Sequence, residues 1–430
     1  MRRRRHQYRL VYLIALVIIF LVAGCDTENS IDPDYEDYYV RFFGDQGNQE
    51  GVDLIVNESE QTVILLGTTT EPGTSIKRIF LVKSDWEGNL IWKKKLGGPY
   101  DVAKDIEFSN TGGLIILSES SNDSQQSQGL GVKLILSSLD GEKLDSTIFK
   151  SPQEGNTFPS DYPKTIMPID DGYIVTGSSE YGTDWADPNR GNDLTDVLHV
   201  KFFDDLQIDG DYNFYQHRAD NDFGLKTVKV GNDFYTFSST RKSENLTTND
   251  DYNIECFSSI GNVLLFGTDQ SGQDEVVNSI CPTFSSGYFL AGTYSNGPST
   301  RDIYIGYTHE VDGKLAKADG EGIIKIPLNT NRMISPTSVC QSKSNQSGYI
   351  IVGTEGEDLE HNIWLCKVSE VGGKVLWSSV FGAGDRNDDR AGAVAELPDG
   401  KILVVGTVNL GVNNLKMGLF KLNNKGQFAK

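Results

Sequence analysis

Four carboxylates recur at one place in a repeating pattern: Asp101 in "DVAKDI", Asp161 in "DYPKTI", Glu275 in "EVVNSI" and Asp389 in "DRAGAV", each five residues before an apolar position. Asp222 stands one residue out of this register, Gln49 occupies the first copy and Ile334 the sixth. Carboxylates ringed around one opening would suit a cation or a polar ligand. The competing reading is structural, an Asp accepting backbone N–H bonds to hold a turn. Tyr181 and Trp185 lie among Asp184, Asp187, Asn189, Arg190 and Asp193, and aromatics beside carboxylates and amides suit sugar stacking or a protein hot spot. They suit a self-packed loop equally well. "DRNDDRAGAVAE" sets Asp385, Asn387, Asp389 and Glu396 at positions 1, 3, 5 and 12 of a calcium loop. Arg390 stands where that loop needs Gly, and its second half reads as strand. No cofactor is predicted, calcium here being the single candidate.

Local enzyme signatures are absent: there is no GxSxG, HExxH or phosphate-binding Gly loop, and His199, His217, His309 and His361 show no paired spacing. His199 and His309 fall in predicted third strands, as packed residues. Trp92, Trp364 and Trp377 recur within strands and are read as packing residues. Cys256, Cys281, Cys340 and Cys366 have no disulfide framework and no CxxC pair, so free thiols acting as small apolar side chains are expected.

These residues hang on a repeat. An apolar run ending in Gly-Thr or Gly-Ser appears as "VILLGT", "YIVTGS", "YFLAGT", "YIIVGT" and "ILVVGT", with degenerate copies "LIILSE" and "DFYTFS". The residues at the Gly position are 67, 118, 177, 238, 292, 353 and 406, about 50 to 60 residues apart, which is the spacing of a solenoid or propeller unit. Each copy has four short apolar or β-branched runs broken by Gly, Asn and Asp, and no long stripe of helical period intervenes. Four strands per unit predict an all-β, seven-bladed β-propeller of four-stranded blades. The motifs "LPDGKILVVGTV" and "GLFKLNNKGQF" resemble delta-60-type repeats, and "KSDWEGNLIW" and "KVSEVGGKVLW" resemble PQQ-like repeats. The resemblance implies a propeller and says little about activity.

The seventh copy stops after "NNKGQFAK", one strand short. "YVRFFG" at residues 39–44 matches the fourth strands "WKKKLG" and "WSSVFG" position for position. The N-terminal segment is therefore expected to supply the missing strand of the last blade, burying Phe42 or Phe43 and removing two open sheet edges. Turns between first and second strands and between third and fourth are tight, whereas "SSEYGTDWADPNRGNDLTD" and "STRKSENLTTNDD" join second to third strands. One face of the propeller is thus predicted to be irregular, and long loops on a rigid scaffold are where binding usually resides.

The first 24 residues combine a basic segment, Arg2 to Arg5 and Arg9, with an apolar run shorter than the roughly 18 to 20 residues of a spanning helix. Val22-Ala23-Gly24-Cys25 resembles the bacterial lipobox. That resemblance implies cleavage after residue 24, lipidation of Cys25 with palmitate or similar chains, and anchoring in the cell envelope, most consistently at the outer membrane. The expected organisation is a signal peptide at 1–24, an acidic linker at 25–37 and a propeller at 38–430. Loss of the signal would leave 34 basic against 60 acidic residues, a net charge that disfavours nucleic acid and leaves an envelope protein or glycan as partner. The expected function is a non-catalytic binding or scaffold module. The alternative is a carbohydrate-active hydrolase or lyase at the channel mouth, using carboxylates such as Asp101, Asp161 and Asp389.

Overall fold

A computed structural model describes residues 38–428, apart from 154–157, 182–194, 211–212, 216–221, 243–248, 259–262, 267–273, 296–300, 313, 318–323, 327–332, 345–347, 358–359, 384–386 and 413. Cys25, the acidic linker and Trp185 lie outside the described residues. No helix occurs among the described residues. The described strands form seven antiparallel sheets, six of them built from consecutive strands and the seventh from the first strand of the chain and the last three; in one sheet both Lys314–Lys317 and Ile324–Ile326 pair with Arg301–Val311. Neighbouring first strands contact one another around a closed circuit, with Arg390–Glu396 of blade 7 meeting Asn48–Asn57 of blade 1. The chain is a β-propeller.

Blade 7 contains the N-terminal strand. Tyr39–Phe43 pairs antiparallel with Leu415–Leu422, Tyr39 facing Lys421 and Phe43 facing Met417. Strand alternation decides which phenylalanine is covered: Phe43 is 6% exposed and Phe42 is 48% exposed. The expected match of outer strands also holds at the level of contacts. Tyr39, Trp92 and Trp377 each lie under a turn glycine of the next blade, respectively Gly88, Gly141 and Gly426, where an added Cβ would stand 2.6 to 2.9 Å from the ring. All three glycines have positive φ, so their turns suit glycine twice over. A lysine on the third strand faces each of these aromatics, as Lys421↔Tyr39, Lys83↔Trp92 and Lys367↔Trp377. All three lysines are buried but not orphaned: Lys421 donates to the Trp86 carbonyl at 2.7 Å, Lys83 to Glu60 at 2.7 Å and Lys367 to Ser342 Oγ at 2.8 Å.

Second and third strands are buried along nearly their whole length, and the apolar clusters lie between adjacent blades, as in the group joining Val63, Phe80, Leu403 and Leu419. Trp364 is fully buried, and Trp92 and Trp377 pack against such clusters. Cys281, Cys340 and Cys366 are free thiols, and burial pushes those of Cys340 and Cys366 up to about 12. His309 departs from expectation. Thr308 takes the inward position of that strand, so alternation turns His309 out to solvent.

Candidate functional site

Each first strand carries a β-bulge at one level. The register shifts between Gly51 and Asp53, Ala103 and Asp105, Pro163 and Thr165, Gly224 and Lys226, Val277 and Ser279, Pro336 and Ser338, and Ala391 and Val394. The extra residues are Val52, Lys104, Lys164, Leu225, Asn278, Thr337 and the Gly392–Ala393 pair, and all of them line one cavity of about 510 Å³ on the axis. A bulge pushes its own strand toward the second strand, and the repeat glycine makes room. A Cβ at Gly67 would lie 2.0 Å from the Glu50 carbonyl oxygen, one at Gly177 2.2 Å from that of Tyr162, and one at Gly406 2.6 Å from that of Arg390.

The hydroxyl after that glycine closes the next seam. Thr68 accepts the N–H of Ala103 at 3.0 Å, Ser178 that of Gly224 at 3.2 Å, Ser239 that of Val277 at 3.2 Å, Thr354 that of Ala391 at 3.0 Å and Thr407 that of Gly51 at 3.1 Å. The two exceptions share a cause. Pro163 and Pro336 have no N–H to give, and there the chain places Glu119, paired with Lys104 at 2.9 Å, and Thr293, which turns to Asn278 of its own blade at 3.1 Å. One step deeper, Asp53 Oδ2 accepts from Ile106 N at 3.2 Å, Asp105 Oδ2 from Ile166 N at 2.8 Å, and Ser279 Oγ from Val339 N at 3.1 Å. Blade is laced to blade by side chain to backbone.

These bonds set the charge of the cavity floor. Asp105 Oδ1 also accepts from Ile106 N, at 2.9 Å, so Asp53 and Asp105 crowd one N–H. Burial, with the charge of Asp105 beside it, lifts the Asp53 carboxyl well above the usual carboxylate range. Burial and Asp105 lift Glu107 to about 7. Lys226 lines this cavity and also the two smaller ones toward the tight-turn face, so it marks the waist of the channel. Burial opposes its charge, but Asp105, Glu107 and Asp53 outweigh burial and hold its ammonium above the ordinary lysine range. Lys164 opens onto the enclosed bore, and there burial and the neighbouring Lys104 lower it. The chamber above the waist begins at the starts of the first strands, the long-loop face.

No protein-family model matches this chain, and no curated protein does. Similarity appears among solved structures, at the level of fold. An ulvan lyase of a polysaccharide lyase family, PL25, superposes with a TM-score of 0.55 at 10% identity, covering 90% of this chain and 96% of that one. The same lyase bound to -[GlcA(1-4)Rha3S]- gives 0.54 over the same shares at 10% identity. The plexin A4 extracellular region matches at a TM-score of 0.47 and 10% identity over 87% of this chain, which spans only 50% of that chain.

The carboxylates singled out by the repeat lie elsewhere. Asp101 is fully buried and accepts from Gly98 N and Ser120 Oγ at 2.7 Å each, with Lys133 as ion-pair partner. Asp161 accepts from Ser151 N at 2.7 Å and from the hydroxyls of Ser151 and Ser179 at 2.6 Å, and burial raises it to about 6 despite these bonds. Asp389 accepts from Asn409 N at 2.7 Å and from Ala383 N. All three therefore sit behind the channel wall, tying the arriving connection to the second strand. Asp222 is in register after all: it faces Thr240 as Asp161 faces Ser179, and Thr227 takes the apolar place. Glu275 pairs through its backbone with Tyr294, and its side chain lies outside the described residues. Tyr181 is half-buried, its N–H donated to Ser179 Oγ at 3.1 Å. Asp389 and Glu396 flank the strand Arg390–Glu396 at opposite ends, and Glu396 accepts from Ser342 and Ser344, so they cannot share a calcium ion.

Lys104, Lys164, Lys226 and Asn278 are the channel residues that the sequence reading passed over. For Lys104, Lys164 and Asn278 the signal was a polar residue three positions after the strand-entry carboxylates Asp101, Asp161 and Glu275; Lys226 stands one position further along its strand, after Leu225.

Proposed function

We propose that this protein is an exported, lipid-anchored envelope protein whose propeller binds a glycan or protein partner at the long-loop face without catalysing a reaction. The observation that carries the reading is the axial chamber of about 510 Å³, walled by all seven blades on the side of the waist where the first strands begin. That volume falls within the roughly 300 to 1,000 Å³ of small-molecule sites. Its lining of ammoniums, a guanidinium, carboxylates, an amide and hydroxyls suits a polyhydroxylated ligand, which favours a glycan over an apolar protein surface. Catalysis by the floor carboxylates is disfavoured because Asp53 and Asp105 each accept backbone N–H bonds at both oxygens, leaving them tied to the seams. The likeness to a polysaccharide lyase supports the fold and nothing finer.

The anchor rests on the basic and apolar leader followed by Cys25. Cys25→Ala should abolish fatty-acid labelling, and persistent labelling would refute the anchor. Binding is tested with the full-length protein in detergent on an array of envelope glycans, beside a variant in which 182–194 is replaced by a short Gly-Ser linker. Capture of a defined glycan, weakened by the replacement, is expected; capture of no glycan at all would remove the glycan reading.

A further inference from the structure

We propose that the channel chamber captures the anionic group of a small saccharide, a carboxylate or a sulfate, through the ammoniums of Lys164 and Lys226 and the amide of Asn278. This rests on the reading of the chamber as a ligand site and adds the charge its ligand must carry.

Several donors that face the chamber are unmatched. Of the three lysines in the chamber, Lys104 is answered by Glu119. Lys164 has no hydrogen-bond acceptor and no ion-pair partner among the described residues, although it faces the bore. Lys226 has acidic neighbours but none at ion-pair distance among the described residues. The Oδ1 of Asn278 is occupied by the N–H and hydroxyl of Thr293 at 3.0 and 3.1 Å, which leaves its two N–H donors for the cavity it lines. The lining carboxylates are engaged elsewhere: Asp53 and Asp105 serve backbone N–H groups, and Glu50 lies beside the Arg390 guanidinium, which is itself bound to Asp388. Two ammoniums and one amide are thus left facing the bore with no acceptor at hydrogen-bond distance among the described residues, and charge-assisted hydrogen bonds to an anion would supply one. Among the described residues no group of three metal-binding side chains competes for a cation.

The rest of the molecule narrows the ligand further. The chain carries a formal charge of −21, so a long polyanion crossing its surface is repelled, while a short ligand inside the bore meets the local ammoniums. Screening over about 8 to 10 Å at physiological salt separates the two fields.

Titration calorimetry of the full-length protein with glucuronate, glucose 6-sulfate, inorganic sulfate and glucose tests the proposal. The two acidic sugars should bind at least tenfold more tightly than glucose, and inorganic sulfate should compete with them. Lys164→Gln should weaken both acidic sugars about tenfold with the melting midpoint unchanged, and Lys164→Arg should restore them. Glucose binding as tightly as the acidic sugars, or acidic-sugar binding indifferent to Lys164→Gln, would overturn the anion site and leave the ligand chamber standing. Binding of none of the four would overturn both.

Discussion

A glycine followed by a hydroxyl recurs along this chain because two backbone demands meet at that dipeptide: the glycine admits the bulge of its own blade, and the hydroxyl takes up an N–H of the next. The pairing has an energetic consequence that differs between seams. Thr407→Val keeps the shape of the side chain but leaves the Gly51 N–H buried without its acceptor, which costs about 1 to 3 kcal/mol. Thr293→Val removes a hydroxyl whose inter-blade donor would be Pro336, which has no N–H, so no N–H is stranded and the loss should be smaller, on the order of 1 kcal/mol. Urea denaturation of the two variants measures the difference, and equal losses would contradict the clasp. The repeat itself was plain in the sequence, since Gly-Thr and Gly-Ser stand out after apolar runs. Its purpose was not, because the partner N–H lies in another blade and only the proline exceptions at residues 163 and 336 hint at it.

Between blades 3 and 4 the seam is polar. Thr176 Oγ1 meets Thr227 Oγ1 at 2.6 Å, Thr227 meets Thr236 at 2.8 Å, and Thr236 meets His199 Nε2 at 2.7 Å, all of them buried. This network explains why Asp222 looked out of register from sequence: a threonine occupies the place where an apolar residue marks the other copies, and hydroxyl bonding replaces apolar packing. The same difficulty hid the channel lysines Lys104 and Lys164, whose offset is regular but whose chemistry interrupts the strand pattern. Burial lowers His199 to about 3, so the folded protein holds it neutral while the unfolded chain protonates it near 6.5. The unfolded state then binds more protons between those values, and stability contributed by neutral His199 is intact above about 6.5 and lost as pH falls toward 3, by at most about 1.4 kcal/mol per pH unit. Asp161, raised to about 6, works the other way, gaining stability as pH falls from 6 toward its unfolded value. A comparison of the parent with His199→Gln cancels that term: the parent should lose stability more steeply than the variant between pH 6.5 and 4. Parallel pH profiles would show that His199 does not titrate on unfolding.

At the scale of the whole ring, closure depends on five residues far from their partners in sequence. Tyr39–Phe43 covers the edge of Leu415–Leu422, and Tyr39 joins blade 7 to blade 1 by donating its hydroxyl to the Trp86 carbonyl at 3.1 Å. The match of "YVRFFG" to the other outer strands makes this pairing legible in the sequence, because aromatic, apolar residue and glycine fall at fixed offsets. Which phenylalanine was buried depended on the pairing with Met417 and could not be read from the motif alone. Deleting 37–45 removes the burial of Tyr39 and Phe43, on the order of 1.5 to 3 kcal/mol each, and takes the acceptor-bearing and donor-bearing edge of the strand away as well. The exposed strand Leu415–Leu422 then offers unpaired N–H and C=O groups to another chain. The deletion should lower the melting midpoint by several degrees and produce concentration-dependent oligomers in light scattering. A monomer with an unchanged midpoint would mean that six blades hold the seventh without its outer strand, and that the aromatic contact of Tyr39 with Gly88 contributes little to the ring.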